Sequence, residues 1–171
     1  MTIPVGENSY ISIEQATDYH GIRGNTEWTD ATIDKQESAL MQATEWIDSI
    51  GRGKWRGKRA TQEQLLAWPR VGVTDEDGFT IQSDVIPSVV VSSTAEAALR
   101  VVRGVVLSPD LDRGGKVQSA SVGNGAVSIT YMPDAPAETN FSAIEKMLSG
   151  VVNGSLFGDS GGVFVIPMVR A

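Results

Sequence analysis

Residues Arg52-Gly-Lys-Trp-Arg-Gly-Lys-Arg59 place five positive charges and one tryptophan in eight consecutive positions. Gly53 and Gly57 fall between the charges, and each disfavours helix by about 1 kcal/mol relative to alanine. The run therefore predicts a loop or irregular arm that interrupts the helical pattern around it. Its charge is local. Residues 52–70 hold six basic and one acidic side chain, whereas residues 1–51 hold two basic and nine acidic, and the whole chain is at −7. A protein that coats nucleic acid along its whole surface would not carry this balance; one that presents a single basic face would.

The chain has 171 residues and 41% hydrophobic side chains, which suits one domain with an extended terminal arm. It has no cysteine, so disulfides and thiolate metal or nucleophile sites are excluded. No apolar run approaches the ~20 residues needed to span a bilayer. The N-terminus, Met-Thr-Ile-Pro-Val-Gly-Glu-Asn, lacks the basic start and apolar core of a signal peptide, which points to a cytoplasmic site of synthesis and no membrane partner.

Apolar spacing predicts a mainly helical fold, a small bundle of about four helices with a protruding β-hairpin. Ser12 and Gln15 form a capping box before a first helix that Gly21 and Gly24 end. A second helix over about 32–49 carries Ile33, Leu40, Ala43, Trp46, Ile47 and Ile50 as a stripe, with Gly51 as its C-terminal stop. Thr61 and Gln64 repeat the capping-box pattern and predict a short helix through Ala67, ended by Trp68-Pro69. Asp75-Glu-Asp-Gly78 reads as a turn between 71–74 and 79–82. Pro87 opens a buried helix within 89–106.

Lys116–Val122 and Ala126–Tyr131 flank Gly123-Asn-Gly125, the best hairpin signal in the chain, with Val117, Val122, Val127, Ile129 and Tyr131 in partial alternation. Phe141, Ile144, Met147 and Leu148 mark a last amphipathic helix. The domain is drawn as residues 1–150, with the hairpin at 116–131. Residues 151–171 form a glycine-rich linker and an apolar arm, whose Val163, Phe164, Val165 and Ile166 suit strand addition to another subunit's sheet edge.

Few candidate sites survive inspection. His20 has no second histidine or cysteine to work with, so packing explains it better than zinc or a triad. Asp75, Glu76 and Asp77 lack the ligand spacing of a calcium loop, and a solvated turn explains them. Asp110 and Asp112 fit a helix-ending loop as well as an ion site. Gly158-Asp-Ser-Gly-Gly162 superficially matches a serine-protease loop, but nothing else of that pattern is present. No phosphate-cradling glycine motif occurs, so no cofactor and no enzyme activity are expected.

Arg52, Lys54, Trp55, Arg56, Lys58 and Arg59 remain. Three readings stay open: a solvated loop whose stems cover Trp55, contact with nucleic-acid phosphates, or docking onto an acidic protein. Trp55 is also placed to stack on a base. None of the five cations lies on an apolar stripe, so replacing all five with serine is expected to leave the fold intact.

The order of several segments resembles a family of tailed-phage proteins often labelled DnaT-like single-stranded-DNA-binding, which in phage genomes resemble head–tail connector, or adaptor, proteins. Asn8-Ser-Tyr-Ile-Ser-Ile-Glu-Gln-Ala-Thr-Asp-Tyr19 comes first, then Ala43-Thr-Glu-Trp-Ile-Asp48 and Trp55-Arg-Gly-Lys-Arg-Ala-Thr61. Ala67-Trp-Pro-Arg70, Asp77-Gly-Phe79, Val85-Ile-Pro87 and Leu111-Asp-Arg-Gly-Gly-Lys-Val117 follow.

The resemblance implies a virion structural protein of the neck, assembled in the host cytoplasm as a homo-oligomeric ring of twelve copies beneath the portal. It implies portal, stopper or tail-terminator proteins and the genomic double-stranded DNA in the channel as partners. The hairpin and the terminal arm would then cross subunit boundaries. The alternative it implies is a single-stranded-DNA-binding accessory protein in replication.

Overall fold

A computed structural model describes residues 4–108, 117–123, 126–131 and 141–157. Five α-helices run in the order α1 (Ile13–Ile22), α2 (Thr26–Thr29), α3 (Ile33–Gly51), α4 (Ser88–Val102) and α5 (Ser142–Leu148), the last continuing into a 3-10 turn at Ser149–Val151. Two antiparallel pairs accompany them. Strand β1 (Lys58–Arg59) pairs with β2 (Arg70–Val71), and β3 (Val117–Gly123) pairs with β4 (Ala126–Tyr131). The expected architecture is present: four packed helices of seven or more residues and one two-stranded hairpin.

The centre of the bundle is the α3–α4 pair. Helix α3 buries Ala39, Leu40, Ala43, Trp46 and Ile47, and α4 buries Val90, Ala95, Ala97, Ala98 and Leu99. The small alanines of α4 let the two backbones approach while the larger residues of α3 fill the seam. Ile33, expected on the buried stripe, is instead 63% exposed: the first turn of α3 packs through Gln36, which is buried and donates to the Trp28 carbonyl at 2.7 Å.

Helix α1 is fixed at its start by the predicted capping box, with Ser12 and Gln15 each accepting the other's backbone N–H. At its other end His20 is buried, and its Nε2 donates to the Ala95 carbonyl of α4 at 3.1 Å. That bond leaves Nδ1 as the acceptor for the Asn25 side-chain amide at 3.0 Å, so the ring is the neutral Nε2–H tautomer. Trp28 lies fully buried on α2, where it donates from Nε1 to the Thr17 hydroxyl at 3.1 Å.

Two expectations change. The Thr61–Gln64 capping-box bonds both form, but no helix follows. Gln64 instead turns its amide onto the Leu66 and Pro69 carbonyls, and this holds 64–69 as an irregular loop ending in a cis Trp68-Pro69 bond. The same local chemistry that starts a helix here closes a turn. The second change concerns the segment after Gly150. Val151, Val152, Leu156 and Phe157 are buried in the core, so packing runs through Phe157 and not only to the end of α5.

Residues 163–166 of the proposed arm lie outside the described residues. Val117, Val122, Val127 and Ile129 fall on the two strands of the hairpin, in a register that pairs Val122 with Val127 and Ala120 with Ile129. Gly123, expected in the turn, is the last residue of β3 and pairs with Ala126.

Candidate functional site

Helix α3 ends at Gly51, and the chain turns back through Gly53 and Gly57, both at positive φ (76° and 67°). These two turns divide the basic run into side chains that serve the fold and side chains that face solvent. Trp55 is 7% exposed and packs edge-to-face on the buried Trp68, with ring centroids 5.8 Å apart. Its backbone forms a bridge with Val152. Trp55 is thus part of the core, and its face is not free to stack on a base.

Lys54 and Arg56 flank it and hold the late segment. Arg56 donates from Nε to the Val152 carbonyl at 3.0 Å and from a terminal nitrogen to the Gly150 carbonyl at 2.8 Å. Lys54 donates from Nζ to the Leu156 carbonyl, and its own carbonyl accepts the Asn153 N–H at 2.7 Å. Charged donors on backbone carbonyls are among the stronger hydrogen bonds in proteins. The expectation that all five cations are dispensable for folding therefore has a structural objection at these two.

Arg52, Lys58 and Arg59 are exposed. With Arg70 they line one pocket of about 580 Å³, whose walls also include Leu65, Leu66, Trp55 and Asp48. Arg70 was not among the sequence candidates. Its guanidinium donates to the carbonyls of Arg56, Gly57 and Ala67 at 2.7, 2.8 and 3.0 Å, and so clamps the β1–β2 ribbon to the 64–69 loop. Arg59 donates to the Gln64 carbonyl at 3.1 Å on the same side. The strand pairing of Lys58 with Val71 and of Arg59 with Arg70 brings these cations together.

One carboxylate, Asp48 on the last turns of α3, faces this pocket. Its Oδ1 accepts from the Tyr10 hydroxyl and its Oδ2 from the Ala67 N–H at 2.9 Å. Burial raises its pKa, against the hydrogen bonds from Tyr10 and Ala67 and the nearby Arg52 and Arg70, which lower it. Tyr10 in turn accepts the Trp68 N–H at 3.3 Å, and burial together with the adjoining carboxylate raises its phenol pKa well above the usual range. This Tyr10–Asp48 node ties the N-terminal segment, α3 and the 64–69 loop into one wall. The pocket carries four cations against one carboxylate, and that carboxylate is occupied by internal donors.

Such a surface suits an anion with several oxygens, such as a run of phosphates. It offers no aromatic platform. Trp28, Trp46, Trp55 and Trp68 are all buried, and among the described residues the exposed aromatic side chain is Phe79. Among those residues, too, no group of three or more histidine, aspartate or glutamate side chains is arranged to hold a metal ion. Among the described residues no helix is long and apolar enough to cross a membrane.

No curated protein and no solved structure gives a significant match to the chain. A family profile matches residues 2–171, nearly its full length, and by that match the chain belongs to the family described as "Putative DnaT-like ssDNA binding protein".

Proposed function

We propose that the protein binds single-stranded DNA through its phosphate backbone, at the pocket lined by Arg52, Lys58, Arg59 and Arg70. The observation that carries this reading is the sorting of the basic run. Lys54 and Arg56 turn inward to hold residues 150–156, while Arg52, Lys58 and Arg59 turn outward around a single cavity. Membership of the family agrees with it. Because the tryptophans are buried, binding rests on charge and not on base stacking. Affinity is then indifferent to base composition and sensitive to salt.

Titration of labelled thymine, adenine and mixed-sequence oligonucleotides tests this. Similar affinities that weaken together as salt rises support the reading. No binding to any of them at low salt removes it.

A second reading keeps the protein as a head–tail adaptor of a tailed phage, a ring beneath the portal that extends the DNA channel and docks the tail. It draws on the β3–β4 hairpin, a two-stranded sheet with open outer edges among the described residues. It also draws on the exposed Val105 and Val106 beside the α3–α4 groove. Open edges and exposed apolar side chains favour contact between copies. In this reading Arg52, Lys58 and Arg59 meet the portal or a neighbouring subunit. Electron microscopy of the protein mixed with the matching portal separates the two: a seated ring favours the adaptor, an unchanged portal the first reading.

A further inference from the structure

Leu65 is 72% exposed, and among the described residues it is the one large exposed apolar side chain on the wall of the basic pocket. Its neighbours in the loop turn the other way, with Leu66 and Trp68 buried. A single exposed leucine is ordinary on a protein surface. This one is set apart by how its loop is held. The Gln64 carbonyl before it accepts from Arg59 at 3.1 Å, and the Leu66 carbonyl after it accepts the Gln64 side-chain amide at 2.8 Å. One residue on, the Ala67 N–H donates to Asp48 Oδ2 at 2.9 Å and the Ala67 carbonyl accepts from Arg70 at 3.0 Å. Two of the pocket's cations and its carboxylate thus hold the loop that carries Leu65 outward beside them.

We propose that Leu65 packs on the face of a base when the phosphates of a single strand lie along Arg52, Lys58, Arg59 and Arg70. This inference rests on the reading of the pocket as a phosphate site, and adds to it a contact that tells a single strand from a duplex. In a single strand the flat apolar face of a base is open beside the phosphate it follows. In a duplex both faces are covered by neighbouring pairs, and a side chain at the level of the backbone meets only phosphate and sugar. Every base has such a face, so the contact leaves affinity indifferent to base composition. Leucine supplies apolar burial and not ring stacking, and the exposed aromatic Phe79 does not line this pocket.

The test titrates the full chain, as wild type and as Leu65→Ser, into three labelled probes of equal length: a thymine strand, the same backbone with abasic sites throughout, and a duplex. Leu65→Ser should weaken binding of the thymine strand about fivefold, the effect of losing roughly half of a leucine's burial. Its salt slope should stay at the wild-type value, because no cation is lost. The wild type should bind the abasic strand about fivefold more weakly than the thymine strand, whereas Leu65→Ser should bind the two alike. Duplex affinity should be the same for both proteins. Leu65→Met should retain the wild-type affinity for the thymine strand, and Leu65→Phe should strengthen it.

Equal binding of the thymine strand by wild type and Leu65→Ser, or of thymine and abasic strands by the wild type, would overturn the inference and leave the phosphate site standing. The second comparison does not depend on the folding of any variant. A salt slope that falls together with affinity in Leu65→Ser would overturn it too, since Leu65 would then act by holding the cations in place. So would a Leu65→Ser protein whose sedimentation changes while its binding does not, which would assign the side chain to contact between copies. Failure of the wild type to bind any of the three probes would remove the phosphate site and this inference with it.

Discussion

The indole of Trp55 occupies the space that a β-carbon on Gly51 would need: an ideal Cβ there would stand 2.1 Å from Trp55 Cε2 and 2.3 Å from Cζ2. The sequence suggests a left-handed helix stop at Gly51, but the residue ends α3 as part of the helix, and its glycine is required by this close approach. Gly51→Ala should therefore force the ring outward and destabilise the protein by about 1–3 kcal/mol, the usual cost of overpacking a closed site. A urea-unfolding comparison with the wild type checks this. Because the ring also walls the basic pocket, oligonucleotide binding should weaken in the same variant.

The basic run should divide cleanly on mutation. Arg56→Ser removes two charged hydrogen bonds to the Gly150 and Val152 carbonyls and should cost about 2–3 kcal/mol of stability. Replacing exposed Arg52, Lys58 and Arg59 with serine should change stability by less than about 0.5 kcal/mol each. Thermal melts of the single variants distinguish the two groups.

His20 gives a pH dependence of definite sign. Burial lowers its pKa below the ordinary 6.5, so the unfolded chain takes up a proton near that pH that the native state refuses. The contribution is fully present above 6.5 and is lost as the pH falls below it. Urea midpoints measured from neutral pH down to about pH 5 should decline. His20→Gln, whose amide can still donate to Ala95, should flatten that decline.

Asp48 acts in the opposite sense. Burial raises its pKa above the ordinary 3.8, so the native state keeps its proton to higher pH than the unfolded chain does. Its contribution to stability is greatest below 3.8 and falls as the pH rises through the raised value. Subtracting the Asp48→Asn profile from that of the wild type should isolate this slope. The same substitution removes the one negative charge of the pocket and should strengthen oligonucleotide binding about fivefold, the effect of ~1 kcal/mol for one charge at close range in water-like surroundings.

Local signals were legible in the sequence where a single element satisfies itself. The Ser12–Gln15 capping box, the Leu40–Ala43–Ile47 stripe, the alanine-rich α4 and the β3–β4 pairing all depend on neighbours close in sequence, and all are present. What was not legible depends on distant partners. Nothing near Trp55 in sequence says that it meets Trp68 and bridges Val152, or that Arg56 reaches carbonyls 94 and 96 positions away. Thr61–Gln64 shows the converse: its local bonds formed as read, but Gln64 and the 66–69 contacts closed them into a loop. Arg70 was legible only as part of the local charge excess, because its place in the pocket comes from the β1–β2 pairing.

The central claim is that Arg52, Lys58 and Arg59 contact phosphates, and the salt dependence of binding tests it most directly. For a single strand, the slope of log affinity against log salt is about −0.7 per neutralised phosphate, so three or four cations predict about −2 to −3. The account predicts that slope for the wild type and a slope approaching zero, with much weaker binding, for the Arg52→Ser, Lys58→Ser, Arg59→Ser triple variant. A triple variant that remains folded and binds oligonucleotide with the wild-type slope would contradict it.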